Sequence, residues 1–290
     1  MNKHRNKRRN RGDSDKVSLG NDRGIVKWLL IALCAVFLVV LLVLPLVYVV
    51  VTAIRDGWNA YVKAVTDTYA VKSILLTLEV VAITVVVNTI FGVFAAWIIT
   101  KFTFRGKKII STLIDLPLAI SPIIAGLIFV LTFGRQSFLY PYLEKAGVQI
   151  IFAVPGIVLA TIFVTFPFIS REIIPVLTAA GSDEEEAAAM MGANGFQIFT
   201  QITFPHIKWA LLYGIVLCSA RAMGEFGAVS VLSGHLRGLT NTMPLYIELL
   251  YQAFDFTGAF AMSSILVVMA VIILVLRNIL EYRGQKEGDV

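Results

Sequence analysis

Six stretches of roughly twenty or more nearly uninterrupted apolar residues run through this 290-residue chain, and they dictate the solvent in which it folds. A helix needs about twenty such residues to cross the ~30 Å hydrocarbon layer of a bilayer. Within that layer every backbone N–H and C=O must find a partner inside the protein, which leaves only helices or a closed barrel. Barrel strands would show alternating segments of about ten residues, and these runs do not alternate. With 58% apolar and 15% charged residues and a mean hydropathy of +0.81, a water-soluble globule is excluded. The chain reads as an all-α polytopic membrane protein with spans at about 25–54, 71–100, 109–133, 152–180, 207–232 and 257–280. Pro45 is expected to kink the first span, and Pro155, Pro167 and Pro175 fall in the fourth.

Charge then sets orientation. The formal net charge of +6 is concentrated at one end, where residues 1–27 carry Lys3, Arg5, Lys7, Arg8, Arg9, Arg11, Lys16, Arg23 and Lys27. A basic flank before a first span reads as an orientation signal resting on anionic lipid, in preference to a nucleic-acid arm. The apolar run that follows is far longer than the core of a signal peptide. Lys101, Arg105, Lys107, Lys108, Lys208, Arg277, Arg283 and Lys286 fall on the same side as the tail, and only Arg55, Lys63, Lys72, Arg135, Lys145 and Arg237 on the other. Both termini are therefore expected in the cytoplasm. The division is a basic tail at 1–24, a six-span domain at 25–283 and a short cytoplasmic tail at 284–290. Cys34 and Cys218 both lie in apolar runs and read as small buried hydrophobes. His4, His206 and His235 are too scattered to form a metal site.

One cytoplasmic connection is acidic instead of basic. Residues 182–205 begin with Ser182, Asp183, Glu184, Glu185 and Glu186 and continue through Ala187, Ala188, Met190, Met191 and Gly192. Ser182 or Asp183 is placed to cap a short helix, with Glu185 or Glu186 completing a capping box. Ala187, Met190, Met191 and Asn194 recur at helical spacing and predict one small-residue face with a soft methionine centre. Gly192 and Gly195 permit a turn, and Pro205 is expected to restart the chain before the fifth span. Such a helix across the end of the bundle is shaped for a groove on a partner protein, although a solvated surface helix would show similar spacing.

The segment resembles the EAA motif of binding-protein-dependent ABC permeases: Glu-Ala-Ala, three residues, Gly, nine residues, Ile-x-Leu-Pro. Here it stands as Glu186, Ala187, Ala188, Gly192, Ile202 and Pro205, with Phe204 in place of the usual Leu. The resemblance covers about residues 25–283. Asp115–Pro117 with Ser121, Pro122 and Gly126, then Phe166–Phe168 through Arg171, Glu172 and Pro175, and Arg221–Ala228 resemble the sulfate and molybdate permease group. Residues 230–245, with His235, Arg237, Thr240, Asn241 and Pro244, are similar to CysW-type sulfate/thiosulfate permeases in particular. This resemblance implies a six-helix type I importer bundle of the MetI-like kind in a bacterial cytoplasmic (inner) membrane. It further implies that the EAA segment docks on separate ABC ATPase subunits, that a second, CysT-type permease completes the pathway, and that an extracytoplasmic sulfate-binding protein delivers the anion.

The sequence contains no Walker A pattern, since Gly106, Lys107 and Lys108 lack its glycine loop and Ser/Thr. ATP and Mg are accordingly expected on the partner, and the chain is expected to be a transport subunit with neither enzyme activity nor a cofactor. A lone charge at mid-bilayer costs about 2.5–3.5 kcal/mol or more. Arg221 and Glu225 stand at i, i+4 and read either as a pathway or gate pair or as an ion pair that only lowers the cost of burial. Gly224 and Gly227 beside them would let another helix approach. Asp115 is expected to meet Lys108, Arg171 or a backbone donor, Arg171 and Glu172 read as inter-helix anchors, and Glu79 has no in-register partner. After the fifth span, His235, Arg237, Thr240 and Asn241 offer donors to a sulfate oxygen, or else fix the loop or contact the binding protein. The alternatives are a molybdate or tungstate permease, and a secondary transporter or channel that works without an ATPase.

Overall fold

The computed structural model describes the backbone of residues 23–288 and the side chains of residues 26–281. The basic residues 3–16 and the side chains of Arg283 and Lys286 lie outside the described residues. Two compact units are present, one ending at Tyr48 and one beginning at Val49. The first holds α1 (Arg23–Leu38), a π-helical turn (Val39–Val43) and the start of α2 (Leu44–Ile54). In place of a simple kink at Pro45, the chain widens one turn so that Leu44 N–H donates to the Val39 carbonyl five residues back. Cys34 is exposed on α1, contrary to the expectation of burial.

Every regular element of the second unit is a helix among the described residues. It contains α3 (Trp58–Val65), α4 (Thr68–Lys101), α5 (Lys107–Ala119), α6 (Pro122–Phe133), α7 (Tyr140–Lys145), α8 (Val154–Thr165), α9 (Pro167–Ala180), α10 (Asp183–Met190) and α11 (Gly195–Ile198). After a second π turn (Phe199–Thr203) follow α12 (Phe204–Met223), α13 (Gly227–Ser233), α14 (Met243–Gln252) and α15 (Phe256–Gly288). Among the described residues, five helical runs are long and apolar enough to cross a membrane: Val26–Ile54, Thr68–Lys101, Val154–Ala180, Gly195–Met223 and Phe256–Glu281.

Three expectations are corrected. The third span is not one rod, because α5 and α6 meet at an angle of 110°. Ile120 is extended, Ser121 precedes Pro122, and proline disfavours a helical conformation in the residue before it, so the helix must end and restart there. The fifth span ends at Met223 instead of continuing to residue 232, and α13 is a separate short helix. Pro205 does not restart the chain. Helix runs unbroken from Gly195 to Met223, because the π turn lets Phe204 N–H reach the Phe199 carbonyl just before the proline that has no N–H to give.

Packing centres on α4. Near its C-terminal end Ala96 joins Ile169, Ile173, Leu177, Ile207, Leu211 and Cys218 of α9 and α12. Its middle contributes Leu76 and Val80 to a cluster with Ile157, Val229 and Leu245, and Ala70 packs with Met243, Tyr246 and Met262. Asn88, fully buried in α4, donates through Nδ2 to Thr165 Oγ1 (2.8 Å), to the Ile162 carbonyl (3.3 Å) and to Cys218 Sγ (3.7 Å). Small residues allow close contact: a Cβ on Gly126 of α6 would sit 2.7 Å from the Ala228 carbonyl, and one on Gly227 would sit 3.0 Å from Pro122 Cβ.

Candidate functional site

The acidic segment forms a short helix after a sharp exit from α9, where Gly181 adopts φ +69°. The helix α10 ends at Met190, and Gly192, at φ +90°, turns the chain toward α11. Asn194 therefore falls outside α10 and off the predicted face. It caps α11 in a full capping box: its Oδ1 accepts from Gln197 N–H and Gln197 Oε1 accepts from Asn194 N–H, both at 2.9 Å.

No such box forms on α10. Ser182 Oγ instead donates to Glu186 Oε1 at 2.7 Å, and Glu185 is drawn into the bundle. Its Oε2 lies 3.0 Å from Lys101 Nζ at the end of α4, and its Oε1 accepts from Thr203 Oγ1 at 2.6 Å. Glu184 pairs at the surface with His206 (2.9 Å). Ala188 is the buried residue of α10, while Ala187 is exposed and Met190 and Met191 are 90% and 83% exposed. Phe196 is exposed too; Ile202 is half-buried and Pro205 exposed. Sequence reasoning identified this outward face but missed Lys101, whose only visible role was as an orientation charge.

Arg221 and Glu225 come together, with Nη1 and Oε2 2.6 Å apart. The α12 helix ends between them, so the pair bridges a helix break instead of lying along one helix. Glu225 is buried, and its Oε1 accepts from Ala228 N–H (2.9 Å), placing the negative charge at the N-terminal end of α13. Arg171 Nε meets Asp115 Oδ1 at 2.7 Å, linking α9 to the first arm of the broken third span. Glu172 is half-buried, with its Cβ 3.6 Å from where a Cβ on Gly214 of α12 would stand. Glu79 is exposed on α4.

At the other end of the bundle the loop 234–242 joins α13 to α14. His235 is exposed at φ +52°, and its N–H donates to Ser233 Oγ (3.2 Å). Thr240 is buried; its hydroxyl donates to the Ser233 carbonyl (2.6 Å) and accepts from Leu236 N–H (3.1 Å). Asn241 is buried as well. The Arg237 guanidinium stacks 4.5 Å from the Tyr69 ring centroid and 5.9 Å from that of Tyr246. Tyr246 OH donates to Asp67 Oδ2 (3.2 Å), and burial pushes its phenol above the ordinary value, so it remains a neutral donor.

Comparison with known proteins adds three findings. The family described as binding-protein-dependent transport system inner membrane component matches residues 88–285. The chain is 44% identical over 261 residues to the sulfate transport system permease protein CysW of Escherichia coli (strain K12), with 90% of each covered. It is 32% identical over 247 residues to the sulfate transport system permease protein CysT of the same organism, covering 85% of this chain and 89% of that one. A chain of a bacterial alginate ABC transporter, solved in complex with its alginate pentasaccharide-bound periplasmic protein, superposes with a TM-score of 0.76. That match has 18% identity and covers 91% of this chain and 96% of the other, so it speaks for the fold.

Proposed function

Since the chain belongs to the binding-protein-dependent transport system inner membrane component family, we propose that it is the permease subunit of an ATP-driven sulfate importer, moved by a separate ATPase through residues 182–205. Membership makes it an inner-membrane transport component with the bundle of an ABC importer permease. The observation that carries the drive mechanism is the build of α10: a helix tied to the bundle by an inward ion pair that presents Ala187, Met190 and Met191 to water. Exposed methionines of this kind suit an adaptable apolar contact with a partner. In this reading ATP and Mg bind between two ATPase subunits, whose closure moves α10 and its counterpart in a second permease chain. The two bundles then rock between inward and outward openings.

The cargo follows from the relatives' names, and the higher identity to CysW than to CysT supports a CysW-like place in a heterodimer with a CysT-like subunit. A sulfate-binding protein outside the membrane would deliver the anion to the face that carries the loop 234–242. In this arrangement Arg221 and Glu225 fix the junction of α12 and α13 as a pathway or gate element, and His235, Arg237, Thr240 and Asn241 shape the outer entry. The test is uptake of radiolabelled sulfate by cells whose own permease is replaced by this chain together with its partners. Excess unlabelled sulfate should abolish the signal and excess molybdate should leave it. Stronger competition by molybdate would reassign the cargo.

A further inference from the structure

Of the four acids in the first turn of α10, Glu185 alone turns into the bundle. Its partner Lys101 is the last residue of α4, and the two side chains are only 16% and 10% exposed. Lys101 Nζ also donates to the Gly181 carbonyl, so one ammonium group holds both the entry to α10 and its first turn. Through Thr203 the same carboxylate reaches the π turn at the root of α12. One turn back along α4, the Trp97 ring meets Phe199 of that π turn edge-on, with centroids 6.1 Å apart. The surface pairs Ser182–Glu186 and Glu184–His206 lie in water, where such contacts count for little. Separating the inner pair would instead strand a largely desolvated charge.

The far end of α4 grips the start of α14 and, through Arg237, the loop 234–242 that leads into it. Thr77 Oγ1 accepts from Met243 N–H (2.8 Å), Asp67 accepts from Tyr246, and Tyr69 carries the Arg237 guanidinium. Between these ends α4 is one helix of 34 residues without a proline, a rod of about 50 Å. The third span breaks at Ile120–Ser121, the fourth changes helix at Phe166, and the fifth widens into the π turn at Phe199–Thr203.

We propose that Lys101, Glu185 and Thr203 form a positioning node through which displacement of α10 is carried into α4 and along it to the loop 234–242. The loaded binding protein and the ATPase then sense each other through the second span, and linkage requires the effect to run both ways. This rests on the coupling reading of residues 182–205. The experiment uses the complete complex in proteoliposomes, with ATP hydrolysis measured with and without sulfate-loaded binding protein, for Lys101→Met and for the milder Thr203→Val. Both variants should retain the ATPase subunit, and Lys101→Met should lose about tenfold in stimulation and in uptake, with Thr203→Val intermediate. Full stimulation in Lys101→Met overturns the proposal. Loss of the ATPase subunit from both variants overturns it too, because the node would then only hold the docking face. Failure of the coupling reading itself is seen separately, as normal uptake by a Gly192→Asp chain whose node is intact.

Discussion

On the segment 181–205 the methionines point out and the decisive carboxylate points in, whereas in the loop 234–242 at the other end of the bundle the hydroxyls and amide are buried and His235, Leu236 and Leu239 face outward. Both segments carry family-like sequence, yet they solve different problems. A Met pair left in water on an anchored helix suits an adaptable apolar contact. A loop whose Thr240 satisfies two backbone groups and whose Arg237 lies on aromatic rings is first of all a scaffold. Substitutions in the outer loop should therefore act through stability, and those in the cytoplasmic segment through the ATPase.

The largest stability effect is expected for Thr240→Val, which leaves the Leu236 N–H and the Ser233 carbonyl without their hydroxyl partner. The cost should be about 1–3 kcal/mol, read as a lowered thermal midpoint of the purified complex. An unchanged midpoint would remove the scaffold reading. Arg237→Gln gives up the stacking on Tyr69, about 0.5–2 kcal/mol, and should lower uptake modestly with binding-protein affinity unchanged. Wild-type uptake would show that the guanidinium has no part in anion entry. Glu186→Ala is the mildest, at about 0.3–1 kcal/mol from the lost charge at the N-terminus of α10. It should shift ATPase co-purification little; a loss as large as that of a core variant would mean that Glu186 itself contacts the partner.

Most of the bundle was legible because lipid tolerates so few solutions. The second and sixth spans, read as 71–100 and 257–280, are the helical runs Thr68–Lys101 and Phe256–Glu281. Hydropathy is blind to direction, however. The apolar stretch through Ser121 and Pro122 looks continuous while the chain turns by 110°, and α13 looks like the end of the fifth span. Pro205 suggested a break because proline forbids an ordinary helical turn, and only the structure reveals the π turn that absorbs it. In residues 182–205 the outward face and the Gly192 turn were legible from the motif, whereas the inward anchor was not. Lys101 lies far from Glu185 in sequence, and nothing in its local pattern sets it apart from the other basic residues that orient the chain. Asn88 was missed because an uncharged amide inside an apolar run gives no signal until its partners are seen.

Gly192 offers the most direct test of whether this segment drives the protein. Its φ of +90° suits glycine, and an L side chain there costs about 1–2 kcal/mol even though a Cβ would meet nothing within 4 Å. Gly192→Asp should thus disturb the turn that presents Met190 and Met191 without clashing with the bundle. Sulfate uptake and ATPase co-purification are measured together on membranes containing equal amounts of the chain. The expected result is a chain that stays in the membrane, with uptake lost and the ATPase either released or hydrolysing without transport. Full uptake with the ATPase bound would contradict the assignment of residues 182–205 as the coupling segment.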